Sequence, residues 1–201
     1  MSPSFALGVL WDLWIVSWFV AAFWSRRTAA RPSFMDEAMH LTPTLIGGAL
    51  LFWGSSAWFE TLTRIGPQKP LWVTPDPIGW VLFAGAAAGL AFTWWARITL
   101  GSLWSGSVAR KEGQAVVRAG PYRLVRHPIY TGLIFAAFCT PLLDGQQANL
   151  LGAVLFSFGF WLKARLEERF LGAQLGAAAY ADYRSTTPML IPFWPTARRP
   201  T

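Results

Sequence analysis

Apolar residues gather along the chain in five stretches, roughly Ser4–Trp24, Thr42–Leu62, Pro77–Leu100, Ile129–Leu143 and Asn149–Leu166. A helix needs about 20 residues to cross the hydrocarbon of a bilayer, and the first three are long enough. The fourth is short and interrupted by Pro141, so it is predicted to pair with the fifth as a hairpin turning at Asp144-Gly145-Gln146. Gly85 and Gly89, in Gly-Ala-Ala-Ala-Gly, give segment three a small-residue face that admits close helix packing. The pattern predicts an all-α integral membrane bundle of about five transmembrane helices, one domain over residues 1–201 without internal repeat. The first stretch has no basic residue before it and arginines directly after it, and reads as a membrane segment rather than a signal peptide.

Composition sharpens that reading. Of 201 residues, 54% are hydrophobic and only 13% charged, about half the charge of a soluble domain. The net charge of +7 could point to nucleic acid, but the basic residues are not collected into one patch with stacking aromatics. They lie between the apolar segments, where they set orientation. Arg26, Arg27 and Arg31 follow segment one, and Arg97, Arg110, Lys111, Arg118, Arg123 and Arg126 lie between three and four. Lys163, Arg165, Arg169, Arg184, Arg198 and Arg199 close the chain, leaving only Arg64 and Lys69 between two and three. The expected arrangement puts the N-terminus outside and gathers the 97–128 loop and the C-terminal tail on the cytoplasmic side. The single cysteine, Cys139, sits inside an apolar run, which excludes an intrachain disulfide and a cysteine metal site. No metal site is predicted.

The remaining polar chemistry is concentrated in Gly120-Pro-Tyr-Arg-Leu-Val-Arg-His-Pro-Ile-Tyr-Thr-Gly132, which runs into segment four. Pro128 lacks an N–H and biases His127 away from helix, so a turn carrying Arg126 and His127 is expected, with a helix starting near Pro128. Free N–H groups and the positive dipole end of that helix, with Arg123 and Arg126 nearby, would attract an anionic group. Segment five ends in Lys163-Ala-Arg-Leu-Glu167-Glu168-Arg169, where residues four apart share a helix face. Taken singly, these residues also fit blander roles: interface tyrosines, orienting arginines, a solvated helix face. Asp12 is an intramembrane carboxylate unless segment one starts later, in which case it lies near the outer surface. Glu60 reads as an interface residue, and His40, beside Asp36 and Glu37, as solvated.

These residues resemble the integral membrane methyltransferases of the isoprenylcysteine carboxyl methyltransferase type, which themselves resemble phospholipid methyltransferases. The resemblance rests on Arg97-Ile-Thr-Leu-Gly101-Ser-Leu-Trp104-Ser105, Gly120-Pro-Tyr122, Arg126-His-Pro-Ile-Tyr-Thr-Gly132, Glu167-Glu168, and Tyr180 with Tyr183 before Pro188. It covers a motif-bearing part of about 97–195. It implies S-adenosylmethionine as cofactor, in a cytoplasmic pocket formed by the 100–128 loop and the C-terminal helix. Carried over by position, the cofactor contacts are Gln114, Ala115, Val116, Val117, Tyr122, His127, Pro128, Ile129, Tyr130 and Glu167. Arg126, Glu167 and Glu168 are the catalytic candidates. The family's substrate-side arginine falls on Lys163, with Arg165 two further on, and an ammonium does not reproduce a guanidinium fork.

The implied acceptor is a lipophilic molecule or lipid, an isoprenylcysteine-like carboxylate or a headgroup, entering sideways from the membrane. A carboxylate would need no proton removed, whereas an amine would need a base, for which Glu168, His127 and Glu167 are the candidates. Two other readings stand beside this one. An NADPH-dependent sterol-type reductase has a similar Arg-His-Pro region, and a non-catalytic membrane scaffold would use the same helices without a cofactor. Oligomeric state is left open by the sequence, since the glycine face on segment three could pack within the bundle or across a dimer.

Overall fold

The computed structural model describes residues 1–24, 28–30, 32–52, 70–108, 110–111, 116–175 and 177–196. Its helices are α1 (Pro3–Ala22), α2 (Phe34–Leu51), α3 (Asp76–Leu100), α4 (Pro128–Asp144), α5 (Gln147–Leu175) and α6 (Ala177–Thr186). Short 3-10 turns cover Gly101–Leu103 and Gly120–Arg123. One small addition to the all-helical expectation is a two-strand antiparallel ladder, β1 (Thr28–Ala30) with β2 (Arg110–Lys111). It ties the connection after α1 to the connection after α3.

Local chemistry sets the helix starts. The Ser33 hydroxyl accepts from the Asp36 N–H and donates to its carboxylate, with Asp36 and Glu37 in the first turn beside the positive dipole end. That cap starts α2 at residue 34 rather than near 42, earlier than the apolar pattern predicts. Residues 53–62, the rest of the second predicted segment, lie outside the described residues. At the other turn, Gly145 adopts φ +67° and its N–H closes on the Pro141 carbonyl at 2.8 Å. A side chain there would run into the Trp72 carbonyl, so only glycine fits the predicted hairpin between α4 and α5.

By length and composition α1 and α3 can cross a membrane, while α4, at 17 residues, is apolar but shorter. Their outward faces suit hydrocarbon: Phe5, Leu13, Val16 and Phe19 on α1 and Ile78, Val81, Trp95 and Ile98 on α3 are exposed. Asp12 is exposed on α1, away from the residues described below.

The bundle is locked by backbone approaches at small residues. A Cβ at Gly89 would meet the Gly132 carbonyl at 2.8 Å, and one at Gly132 would strike the Gly89 carbonyl, so α3 and α4 touch almost main chain to main chain. Gly85 faces Cys139 and Phe135 of α4, as its small-residue face predicts. A second seam joins α2 to α5, where Gly152 abuts the Leu50–Leu51 backbone, Gly47 the Phe156 backbone and Gly159 the Thr44 backbone.

These contacts sort the loops into two ends. Pro3, Gly79 and Leu143 meet at one. At the other, Arg97 reaches the Ala21 and Trp24 carbonyls, and the 120–130 stretch meets α5 and α6.

The α2–α5 seam yields a prediction. Gly152→Ala forces two backbones apart and should destabilise by about 1–3 kcal/mol, whereas Gly8→Ala, which meets nothing within 4 Å, should be neutral or slightly stabilising. Thermal unfolding of both variants in one detergent checks it, and equal melting points would remove the close-packed seam.

Candidate functional site

The stretch 120–132 folds as expected into a turn followed by a helix. His127 occupies the N-cap of α4 with φ −124° and ψ 64°, and Pro128 opens the helix. The turn is fastened from outside by the C-terminal segment. The Arg126 and His127 N–H groups donate to the Pro188 and Met189 carbonyls at 2.8 and 3.1 Å, and Thr131 Oγ1 donates to the Leu190 carbonyl at 2.6 Å. Tyr183 Oη donates to the Tyr122 carbonyl at 2.6 Å.

On this frame sits a buried knot of charge. Arg126 Nε donates to Glu168 Oε1 at 2.6 Å, and its Nη1 also bonds the Thr187 carbonyl. His127 lies between the two glutamates, with Nδ1 3.3 Å from Glu167 Oε2 and Nε2 3.4 Å from Glu168 Oε1. Tyr130 Oη donates to Glu167 Oε1 at 2.5 Å and its ring stacks on His127, with centroids 5.4 Å apart. Side chains of Arg126, His127 and Glu168 are each less than a tenth exposed.

Burial by itself would raise Glu168, but hydrogen bonds from His127 and Arg126 outweigh it and push the carboxyl down to about 2. Burial would lower His127, yet its hydrogen bonds to Glu167 and Glu168 win and raise it, so both ring nitrogens act as donors. Two cations and two carboxylates balance. Burial raises the Tyr122 phenol, with the Glu167 charge adding to it, and that phenol stays neutral.

Above the knot lies a pocket. It is lined by Trp104, Val108, Tyr122, Tyr180, Tyr183 and Glu167 among others, and by Val116, Val117, Arg126, His127, Pro128, Ile129 and Tyr130. Eight of the ten cofactor-contact candidates therefore line a single cavity, while Gln114 and Ala115 lie outside the described residues. Glu168 supports the knot from beneath and opens on a second cleft with Arg165 and Arg184.

Lys163 is buried one turn before Glu167, its Nζ donating to the Gly106 carbonyl at 2.5 Å and lying 5.5 Å from the Tyr130 ring centroid. Arg165 is not brought to Lys163. Two residues along a helix is roughly a 200° turn, and Arg165 is exposed, over the Trp161 ring.

Three features escaped the sequence reading. His40 is not solvated but 2% exposed, with neither ring nitrogen hydrogen-bonded, and Glu37 Oε1 is likewise buried without a partner among the described residues. The register of α2 on α5 could have shown this, since His40, Thr44, Gly47 and Leu51 repeat at helical spacing. Arg97 is fully buried, donating to the Gly101, Ala21 and Trp24 carbonyls at 2.6–2.8 Å with Trp104 4.5 Å from its Cζ. It thereby fixes one wall of the pocket. The carbonyls of residues 187–190 carry no side-chain signature at all.

Residues 80–172, just under half the chain, match the profile of the Isoprenylcysteine carboxyl methyltransferase (ICMT) family. A Methanethiol S-methyltransferase of a Pseudomonas species is 39% identical over 71 residues, 35% of this chain and 26% of that protein. Protein-S-isoprenylcysteine O-methyltransferase of Schizosaccharomyces pombe is 33% identical over 106 residues, 50% of this chain and 43% of that protein. Cobalt-zinc-cadmium resistance protein CzcN of Cupriavidus metallidurans is 26% identical over 151 residues, 74% of this chain and 59% of that protein. The chain thus spans between about a quarter and three-fifths of the length of these relatives.

The charge knot predicts a pH window for stability. Glu168, depressed from 4.5, stabilises the fold above that value, and the contribution is lost as pH falls toward 2. His127, raised from 6.5, stabilises fully below that value and loses the contribution as pH climbs through its raised one. Melting temperature in detergent should therefore be highest between 4.5 and 6.5. Glu168→Gln should flatten the acid side, and an unchanged acid slope would count against the knot.

Proposed function

We propose that this chain, whose residues 80–172 match the isoprenylcysteine carboxyl methyltransferase family, is a membrane methyltransferase, using S-adenosylmethionine to methylate a membrane-dissolved acceptor. One observation carries the reading: the Arg126-His127 turn and the Glu167-Glu168 pair, 42 residues apart in sequence at their closest bond, meet beneath one aromatic pocket.

The residues present fit the proposed cofactor. It is a sulfonium cation with a purine, an ammonium and a carboxylate. Trp104, Tyr122, Tyr180 and Tyr183 offer aromatic faces for a purine and a cation. Glu167, held ionised chiefly against its own burial by the His127 hydrogen bond, offers a carboxylate to the ammonium. The N-terminal turn of α4, with its free N–H groups, offers a site for the carboxylate. Val116 and Val117 would close the side of the pocket.

When bound, S-adenosylmethionine would supply an electrophilic methyl carbon. The chain's own part is positioning and exclusion of water. Arg126 holds Glu168, Glu168 and Glu167 hold His127, and Tyr130 fixes the rotamer of Glu167. Arg126 is a positioning residue here, because its donors are already directed at Glu168 and the Thr187 carbonyl. The acceptor would approach from the α2 and α5 side, past Lys163. The basic connections gather at this end of the bundle, which supports a cytoplasmic pocket and an external N-terminus.

S-adenosylhomocysteine tests the reading. At 100 times its dissociation constant it should stabilise the protein by about 2.7 kcal/mol, while NADPH should give no shift. Glu167→Gln, which keeps the shape and removes the charge, should abolish the shift, measured against that variant's own ligand-free melting point because the change also withdraws a charged partner from His127. A full shift in Glu167→Gln would remove the site, and stabilisation by NADPH alone would replace the function.

A further inference from the structure

The seam between α2 and α5 leads to a second polar cluster. Leu51 faces Gly152, Gly47 faces Phe156 and Thr44 faces Gly159, so each turn toward the N-terminus of α2 is matched by a turn toward the C-terminus of α5. The next step in this register sets His40 opposite Lys163, with Glu37 one turn further along α2. Electrostatics agree, since the charges of Lys163 and Glu167 both act on His40, and that of Glu37 acts on Lys163 and Tyr130.

This cluster adjoins the pocket through Tyr130 and Glu167, both of which line it, and Lys163 Nζ lies 5.5 Å from the Tyr130 ring centroid. Its bonding is incomplete. Both His40 nitrogens and Glu37 Oε1 are buried without a hydrogen-bond partner among the described residues, although Lys163, bonded to the Gly106 carbonyl, is close by. Burial, and after it the Lys163 ammonium, keeps the imidazole neutral. It then has one donor and one acceptor to satisfy, and Glu37 has an acceptor.

We propose that His40 and Glu37, facing Lys163, form the acceptor end of the site, and that the group methylated there carries a removable hydrogen, as a thiol or an amine does and a carboxylate does not. This rests on the methyltransferase reading above. A carboxylate has only acceptors to offer, could meet at most one of these orphaned groups, and would enter beside Glu37 and Glu167, two like charges facing a single ammonium. A hydrogen-bearing nucleophile can donate to the basic nitrogen of His40. In the transfer the acceptor's lone pair forms the new bond to the methyl carbon. The bond from that carbon to the donor sulfur breaks with its electron pair left on sulfur, and the proton shed by the acceptor goes to His40, where the Glu167 charge opposes the Lys163 ammonium. Exposed Met39, Leu45 and Ile46 on α2 and Val154 and Phe158 on α5 supply an apolar bed along the seam for a hydrocarbon tail.

The experiment uses the full chain in detergent with methyl-labelled S-adenosylmethionine and three probes of equal tail, decanethiol, decylamine and decanoate. Label should enter the thiol or the amine, which the separate arms distinguish, with decanoate at least about tenfold lower. His40→Gln keeps a donor and an acceptor but takes no proton. It should lower that labelling about tenfold or more, while the S-adenosylhomocysteine melting shift stays at the wild-type value. Glu37→Gln should raise the KM for the labelled probe with the same unchanged shift. Preferential labelling of decanoate, no labelling of any probe, or wild-type labelling by His40→Gln would overturn the proposal while cofactor binding persists. Loss of the S-adenosylhomocysteine shift in the wild type would instead overturn the methyltransferase reading itself.

Discussion

Everything at the polar end of this molecule depends on burying four charges at once. An isolated ion taken out of water costs several kcal/mol even after relaxation, and its partner compensates only with good geometry and further hydrogen bonds. Arg126 and Glu168 meet at 2.6 Å, His127 bridges both glutamates, Tyr130 completes Glu167, and backbone carbonyls take up more of Arg126. Removing any one member strands another. The knot therefore has one workable arrangement, and that arrangement requires the start of α4, the far end of α5 and the tail after α6 to lie together.

The close helix seams make this arrangement reachable. Because Gly89 and Gly132 let α3 and α4 approach at backbone distance, the 3-10 turn after α3 and the N-cap of α4 border the same cavity. The α2–α5 seam does the same on the other side, carrying Lys163 into register with His40. Between apolar helices in lipid the hydrophobic effect gives little preference for one neighbour over another, so packing at small residues decides which faces meet. Arg97 adds a third fastening. Its guanidinium has carbonyls and the Trp104 face as partners rather than a carboxylate, and it binds the end of α1 to the pocket wall.

Much of this was legible in the sequence, for physical reasons that differ by residue. Pro128 after His127 dictates a helix start, Gly145 after Asp144 dictates a hairpin, and Gly85 with Gly89 marks a contact face. Each is a local rule. The pairing of Arg126-His127 with Glu167-Glu168 is not local, and only the resemblance brought those residues together before the structure did. His40 was misjudged because its immediate neighbours, Asp36 and Glu37, are polar, and exposure was inferred from neighbours in sequence. The Ser33 cap carries the helix back past those residues, so that His40 falls on the α5-facing stripe with Thr44 and Gly47. Arg165, two residues after Lys163, lies on the other side of α5, exposed over the Trp161 ring.

Lys163 can stand where a guanidinium is expected because of what already surrounds its ammonium. A guanidinium suits a site that must grip a planar carboxylate with two parallel bonds. Lys163 has already directed one donor to the Gly106 carbonyl, and its charge is answered by Glu37 and Glu167. Little positive potential is left for an incoming anion. An ammonium used in this way supports the loop at Gly106 and balances two carboxylates, while the neutral imidazole across the seam keeps unspent hydrogen-bonding capacity among the described residues. The exchange of a fork for a point charge is therefore consistent with a site that reads its acceptor by hydrogen-bond donation rather than by ion pairing.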